Sequence, residues 1–427
     1  MASSDSSDTD PRWRRAARTV SLDVRPLHHR EFRLLFVGRT VALSGGAIMI
    51  VALPFQIYHL THSSLAVGLL GLFEIIPILL IAFAAGAAAD AWDRRRTVLV
   101  TEVAMCLAIA VLIANSLLSH PNLWVVYGAA TALAAFDALQ GPSLTALMPR
   151  LVPKDELPAA TALTSLRSTA SMTVGPAIAG ILIATIGVTG AYGVDAMTCI
   201  AGLGALWLMR AVPPPSDAER PSMERILEGL SYARGRPELM GTYLVDIVAM
   251  FFGMPTALFP ALAVRFGGPS VLGALMAAPA VGSFLAVATS GWTKHIRRQG
   301  LGVALAALAW GVAIVLFGLS PSLVPALVFL ALAGAADMIS GIFRSTIWNV
   351  TIPDALRGRL AGIEMVSYSI GPALGDVESG TVGTLFSVPV AIVSGGVLCV
   401  LGTIALSAAL PSLLRFDVRQ YGEKTAA

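Results

Sequence analysis

The sequence predicts an all-α membrane protein with twelve transmembrane helices in two pseudo-symmetric six-helix bundles. Composition is the first reason, because 56% of the 427 residues are hydrophobic, only 13% are charged and the mean hydropathy is +0.76, as in polytopic membrane proteins. The second reason is an internal repeat. Residues 135–153, AFDALQGPSLTALMPRLVP, recur two hundred positions later as residues 335–353, AADMISGIFRSTIWNVTIP. Each copy is the fourth long apolar segment of its half, which predicts two six-helix repeats.

The apolar segments are each long enough to cross a hydrocarbon core of about 30 Å at 1.5 Å per residue. In the first half we expect helices at residues 31–58, 65–89, 96–118, 122–149, 158–187 and 190–211. In the second half we expect them at residues 238–265, 269–292, 299–319, 322–349, 358–385 and 388–411. The two bundles are therefore predicted at residues 31–211 and 238–411.

Three polar segments flank or join the bundles. We expect a cytoplasmic N-terminal tail at residues 1–30, a cytoplasmic linker at 212–237 and a cytoplasmic C-terminal tail at 412–427. The N-terminal tail ends in a basic run that suits an anionic membrane surface. The linker begins with three consecutive prolines and alternating charges, which favour a soluble connection over a membrane helix.

The distribution of basic residues predicts the orientation. Of the 29 lysines and arginines, 25 fall in the tails or in the even-numbered loops, and the odd-numbered loops contain only Arg265. The other three, Arg39, Arg167 and Arg344, lie inside predicted helices. By the positive-inside rule both termini are expected in the cytoplasm. One helix more or fewer would place later basic clusters on the wrong side, so the pattern also favours twelve crossings.

Several classes of site are not expected. Cys106, Cys199 and Cys399 all fall inside apolar segments, so neither a disulfide framework nor a metal site is predicted. His59 and His62 share a short loop without a third ligand nearby. No phosphate-binding GxxxxGK[ST] sequence and no nucleophile triad appear. We therefore predict no enzyme activity, no cofactor and no ATP-driven transport by this chain alone. The net charge of +3 follows membrane topology and does not indicate nucleic acid as a partner.

Two motifs lie at helix ends and bends. The segment from Gly86 to Arg96, GAAADAWDRRR, joins the second and third helices and contains Gly86, Asp90, Arg94, Arg95 and Arg96. Asp90 can face the positive end of a neighbouring helix while the arginines remain on the cytoplasmic side. In the fifth helix, SMTVGPAIAG contains Gly175, Pro176 and Gly180. This motif permits bending or tight helix packing.

With the segment VPKDEL at 152–157 and its echo PDALRGR at 353–359, these motifs resemble the major facilitator superfamily. The likeness is to the enterobactin-exporter and macrolide-efflux subgroup of drug:proton antiporters. The resemblance implies that the segment from Gly86 to Arg96 is a gating motif, which latches the two halves on the cytoplasmic side in the outward-open state. It also implies that residues 171–180 are the antiporter motif of the drug-efflux members, and that helices one, four, seven and ten face a central cavity. Ala91 stands where a basic residue is usual, and Ser171 and Ala179 replace two glycines of the antiporter motif.

Charged residues inside predicted helices are the candidate functional groups. A charge at the bilayer centre costs roughly 2.5–3.5 kcal/mol on insertion scales, so such residues usually face a cavity or a partner. The proton-coupling or cavity candidates are Arg39, Glu74, Asp137, Asp246, Asp337, Arg344 and Asp376. The alternative is structural ion pairing, for example between Arg39 and an acid on a neighbouring helix or between Arg344 and Asp337. Glu102, Asp195 and Glu364 lie near span ends and are expected to pair or cap.

These observations favour a secondary active efflux transporter. We expect proton-coupled antiport of amphipathic small molecules, such as drugs or a siderophore, by alternating access in the bacterial cytoplasmic membrane. The partners are then the bilayer, the cargo and protons, and we expect a monomer. Two alternatives stay open, namely an uptake, lipid or metabolite transporter of the same fold, and a non-transporting membrane sensor or scaffold.

Overall fold

The computed structural model describes residues 23–88, 94–210, 231–232 and 234–418, and its long elements are all helices. In the first half these are α1 (Arg30–Thr61), α2 (Ser64–Ala88), α3 (Arg94–Ser116), α4 (Leu123–Leu151) and the run Leu157–Trp207. That run bends at Gly187, where φ is 74° and ψ is 174°, a conformation that favours glycine. We therefore treat 157–186 as α5 and 188–207 as α6.

The second half follows the same order. Its helices are α7a (Pro237–Gly253), α7b (Phe259–Phe266), α8 (Pro269–Ala288), α9 (Gln299–Gly318), α10 (Leu323–Thr351), α11 (Asp354–Leu385) and α12 (Val388–Ala409). Short 3-10 turns occupy Arg25–His28, Lys154–Glu156, Thr256–Leu258 and Ser290–His295, and a last short helix spans Pro411–Leu414. α7 was expected as one helix, but it is interrupted between Gly253 and Phe259.

The described residues include ten helical stretches that are long and apolar enough to cross a membrane. One of them, Lys154–Trp207, has 54 residues and would extend about 81 Å as a single helix, so it provides two crossings divided at Gly187. α11, with 32 residues, is long enough but more polar and is not among the ten. When Lys154–Trp207 is counted as two crossings and α11 is added, the ten stretches become twelve helices, the number that the sequence predicts.

The repeat is also present in the structure. α4 and α10 each contain 29 residues and begin two hundred positions apart. Asp137 and Asp337 both lie fourteen residues from either end of their helix, since 137 − 123 and 151 − 137 are both 14. Both carboxylates are therefore at mid-height.

The two halves are packed together at one side of the molecule. We call the side where α1 begins and α12 ends the terminal side, and the opposite side the far side. The largest hydrophobic cluster draws residues from both halves, including Ile57 and Tyr192 from the first and Leu258 and Leu272 from the second. The described clusters on the terminal side each belong to one half only. The cores are therefore joined at the far side and separate at the terminal side.

Two helix pairs, α2 with α11 and α5 with α8, make the main contacts between the halves. In the first pair, Leu65 N–H donates to Thr384 Oγ1 at 3.1 Å. In the second pair, a Cβ built on Gly180 would lie 2.9 Å from Gly273 Cα. These residues all lie toward the far-side ends of their helices, and small residues allow such close approach. The structure is therefore closed at the far side.

Candidate transport site

In the first half, one polar triad joins α1, α3 and α4. Arg39 Nη1 donates to Gln140 Oε1 at 2.7 Å, and Gln140 Nε2 donates to Glu102 Oε2 at 2.7 Å. Arg39 and Glu102 also form an ion pair at 3.5 Å. Glu102 is 2% exposed and Gln140 is fully buried. Because both charges are desolvated, the bridging amide satisfies groups that would otherwise be costly to bury.

The triad contains the pairing that was the alternative for Arg39. Its acidic partner on a neighbouring helix is Glu102 of α3, which was itself expected to pair. Gln140 was missed. Its signal was its position, a polar residue three places after Asp137 in an otherwise apolar stretch, which puts it about 60° around the helix from that carboxylate.

In the second half, the corresponding cluster joins α7a and α10. Arg344 forms an ion pair with Asp246, and its Nη2 lies 3.5 Å from Asp337 Oδ1. The side chains of Asp246 and Arg344 are 8% and 11% exposed, whereas that of Asp337 is 38% exposed. The predicted alternative for Arg344, a pairing with Asp337, is therefore present, together with a second pairing to Asp246. Asp337 is therefore the most solvent-exposed member of this cluster.

Asp137 and Asp337 occupy matched positions in different surroundings. Asp137 is exposed at mid-height and has no hydrogen-bond or ion-pair partner among the side chains that the structure describes. Two hundred residues before Arg344 the chain has Leu144, so the first half lacks the cation that lies beside Asp337. The repeat therefore presents one isolated and one paired carboxylate at the same depth.

A second cation lies near the triad. Arg167 of α5 places its guanidinium carbon 5.6 Å from the ring centroid of Phe36 on α1, within the range of a cation–π contact. The Arg167 side chain is partly buried, its Nε has no hydrogen-bond partner, and no described carboxylate pairs with it. A partly buried guanidinium without a carboxylate partner can bind an anionic or aromatic group of a ligand.

Glu74 and Asp376 lie on opposite halves, on α2 and α11. Asp376 Oδ1 accepts hydrogen bonds from Thr256 Oγ1 at 2.5 Å and from Ala257 N–H at 2.9 Å. The carboxylate thereby stabilises the turn between α7a and α7b, where free backbone donors favour an anion. Glu74 lies close enough to Asp376 for the two charges to interact and has no hydrogen-bond partner among the described residues. Both acids are at the seam between the halves.

The two sequence motifs lie at different places. Gly175 contacts α1, and Gly180 contacts α8, where the carbonyl oxygen of Pro176 meets Gly273. The antiporter-like motif is therefore part of the far-side contact between the halves.

Only part of the gating motif is described. Gly86 is in the last turn of α2, while Asp90 and the side chain of Arg94 lie outside the part of the chain that the structure describes. Arg95 Nη2 donates to the carbonyl oxygen of Trp207 at 2.8 Å, and Arg96 is exposed near the start of α3. Arg95 thus stabilises the C-terminal end of α6, where a cation is favourable.

The expectation that no disulfide would form is wrong. Cys106 of α3 and Cys199 of α6 form a disulfide with a Cα–Cα distance of 6.0 Å, while Cys399 is free and buried. The prediction rested on the position of all three cysteines inside apolar segments. The packing of α3 against α6 nevertheless places these two thiols side by side.

Comparison with known proteins supports the fold and its broad role. A family model described as transmembrane secretion effector matches residues 22–421. The enterobactin exporters EntS of Shigella boydii serotype 18 and of Escherichia coli O139:H28 are each 30% identical over 380 residues, covering 88% of this chain and 91% of theirs.

Solved structures share the architecture at low sequence identity. A bacterial homologue of the human lysosomal transporter Spinster, in an inward-facing and unoccupied conformation, has a TM-score of 0.70 at 15% identity and covers 94% of this chain and 99% of its own. A bacterial homologue of the iron transporter ferroportin has a TM-score of 0.68 at 14% identity, with 89% and 99% coverage. These likenesses support the twelve-helix fold.

Proposed function

Because the chain belongs to the transmembrane secretion effector family of the major facilitator superfamily, we propose that it is a secondary active exporter, exchanging protons for amphipathic small molecules. As a membrane transporter it has no catalytic site and requires no cofactor or nucleic acid. Both chain ends lie in the cytoplasm of a bacterial cell, so the terminal side is cytoplasmic, as the arginine distribution supports. The unit of transport is a monomer, because each chain contains both halves of the central cavity.

The observation that carries this proposal is the pair of mid-height carboxylates in a molecule sealed at the far side. Asp137 and Asp337 are both solvent-accessible although they lie fourteen residues from either helix end. We assign them to a central cavity that opens at the terminal side in this conformation. Rocking of the two bundles then exposes the same carboxylates to the far side, which is alternating access.

The unequal surroundings of the two acids support proton coupling. Asp137 has no cation beside it and can take up a proton from the far side without breaking an ion pair. Protonation of Asp337 removes its attraction to Arg344, which then retains Asp246. Glu74 and Asp376 lie on the two helices that form this side of the seam between the halves, so protonation of either lowers the repulsion that opposes closure.

The cargo is proposed to meet the first half at Arg167. The accessible cation beside the Phe36 ring suits a molecule that combines an anionic group with an aromatic face. The similarity to enterobactin exporters is consistent with a siderophore as cargo, and amphipathic drugs share the same apolar character.

The test measures proton-driven transport in proteoliposomes. Vesicles with an acidic lumen are expected to accumulate enterobactin or a fluorescent amphipathic dye, and collapse of the gradient abolishes accumulation. Asp137→Asn and Asp337→Asn should each reduce the rate at least tenfold. Asp155→Asn, which removes an exposed carboxylate on the terminal side, should keep the wild-type rate.

Three outcomes contradict the proposal. Accumulation only with an alkaline lumen indicates a proton symporter for uptake. No movement of either compound under either gradient, in protein that binds them, indicates a sensor or scaffold. Full activity in both aspartate variants excludes these residues from coupling.

A further inference from the structure

An apolar groove runs down the outside of the second half between α9 and α10. It has a volume of about 700 Å³, within the range of small-molecule sites. Its floor is formed by small residues, including Ala306 and Ala309 of α9 and Ala335 of α10. From Leu301 to Leu316 the groove follows sixteen residues of α9, a rise of about 22 Å. This exceeds the roughly 15 Å hydrocarbon depth of one leaflet, so the groove accommodates a whole acyl chain.

The terminal-side end of this α9–α10 groove is basic. The turn Ser290–His295 and the residues after it supply Lys294, His295, Arg297 and Arg298, all of them exposed. Arg298 lines the groove itself, and the other three line an adjoining depression of about 290 Å³. None of the four has a carboxylate partner among the described residues, and neither lining contains an acidic residue.

Trp292 marks the boundary between the apolar and basic parts. Its ring is 46% exposed and packs edge-on against Phe343 at a centroid distance of 6.1 Å. Phe343 approaches α9 because Gly302 has no side chain, since a Cβ there would lie 2.6 Å from two ring carbons. Exposed tryptophan is characteristic of the membrane–water interface, so the basic residues lie at headgroup level and the groove extends into the hydrocarbon.

We propose that the α9–α10 groove binds one anionic phospholipid of the terminal-side leaflet. Its phosphate and negatively charged headgroup contact Arg298 and Lys294, and one acyl chain lies along the floor of alanines. Charge complementarity selects this occupant over a neutral lipid, because Lys294, Arg297 and Arg298 surround the groove mouth and have no acidic partner among the described residues. The site is on the lipid-facing surface and is separate from the mid-height carboxylates.

The experiment is native mass spectrometry of the full chain in detergent, titrated with dioleoyl phosphatidylglycerol or with phosphatidylcholine of the same chains. We expect one phosphatidylglycerol to remain bound at activation energies that remove phosphatidylcholine. Arg298→Gln should weaken phosphatidylglycerol binding about fivefold, the equivalent of about 1 kcal/mol for one basic residue at the surface. Lys154→Gln, another exposed terminal-side cation outside the groove, should leave binding unchanged.

A steric variant tests the apolar part independently. Ala309→Phe fills the groove floor and should reduce retention of the lipid at least fivefold, whereas Ala405→Phe, at an exposed position on α12, should not. Equal retention of the two lipid classes by the wild-type protein overturns the proposal. Equal effects of Arg298→Gln and Lys154→Gln on phosphatidylglycerol binding overturn it as well. If Ala309→Phe fails to fold, the comparison of these two charge variants tests the proposal by itself.

Discussion

Gly180→Ala tests the far-side contact between the halves with a single methyl group. A Cβ at this position would lie 2.7 Å from the carbonyl oxygen of Pro269 and 2.9 Å from Gly273 Cα, against 3.4 Å for ordinary contact. The differences, 3.4 − 2.7 and 3.4 − 2.9, require α5 and α8 to separate by about 0.5–0.7 Å. Both contacting atoms belong to the backbone of α8, so no side chain can rotate away to make room.

The cost of this overpacking is about 1–3 kcal/mol, and it applies only while the far side is closed. The ratio of far-side-closed to far-side-open molecules should therefore fall by about 5- to 150-fold. Spin labels on cysteines introduced at Leu118 and Leu319, both exposed at far-side helix ends of opposite halves, report this ratio through electron–electron distances. We expect a longer-distance population in Gly180→Ala.

Gly193→Ala is the matched control, because a Cβ at Gly193 of α6 would meet nothing within 4 Å. Both substitutions gain the same helix propensity, up to about 1 kcal/mol relative to glycine, so their difference isolates the contact between the halves. If the two variants give the same distance distribution as the parent, the far-side contact does not depend on the missing side chain and the packing argument is refuted.

Two further predictions concern interactions within a half. Asp246→Asn removes one of the two carboxylates beside Arg344 and should lower the free energy of unfolding by about 1.5–3 kcal/mol, measured by thermal denaturation in detergent, because Asp337 still lies beside the arginine. The double variant with Arg344→Gln should lose less than the sum of the single losses, and strict additivity would argue against the pair. In the protein without substitutions, once it is denatured, a thiol reagent should modify one cysteine before reduction and three after it, because Cys106 and Cys199 are bonded. Modification of all three cysteines without reduction would contradict this disulfide.

The sequence was sufficient for the architecture because apolar segment length and repeat position determine it directly. The expected helix at 122–149 is Leu123–Leu151, and the expected break between the fifth and sixth helices is at Gly187. The interruption of α7 was missed, although Pro255 lies within it and proline removes a backbone donor. Hydropathy alone treated that stretch as a continuous apolar segment.

Partners across helices were harder to predict, because they depend on how each helix is rotated about its axis. The sequence identified Arg39, Asp246 and Arg344 as buried charges, but it did not associate Arg39 with Glu102 or Arg344 with Asp246. For Arg39 it predicted an acid on a neighbouring helix without identifying the residue. The one pairing identified in full, Arg344 with Asp337, is within one helix, where the seven-residue spacing fixes the geometry. Cys106 and Cys199 were missed for the same reason, since their proximity depends on the packing of α3 against α6.

The two halves connect their first and fourth helices by different chemistry, and this difference bears on coupling. In the first half the neutral Gln140 lies between Arg39 and Glu102, so the triad keeps its charge balance whatever the state of Asp137. In the second half Arg344 is shared by Asp246 and Asp337, so a proton on Asp337 changes the balance of the link itself. A duplicated framework therefore holds one carboxylate without a cation beside it and one that shares its arginine with a second carboxylate. Under the proposed coupling, protonation of Asp337 is the step that we expect to change the packing of α7a against α10.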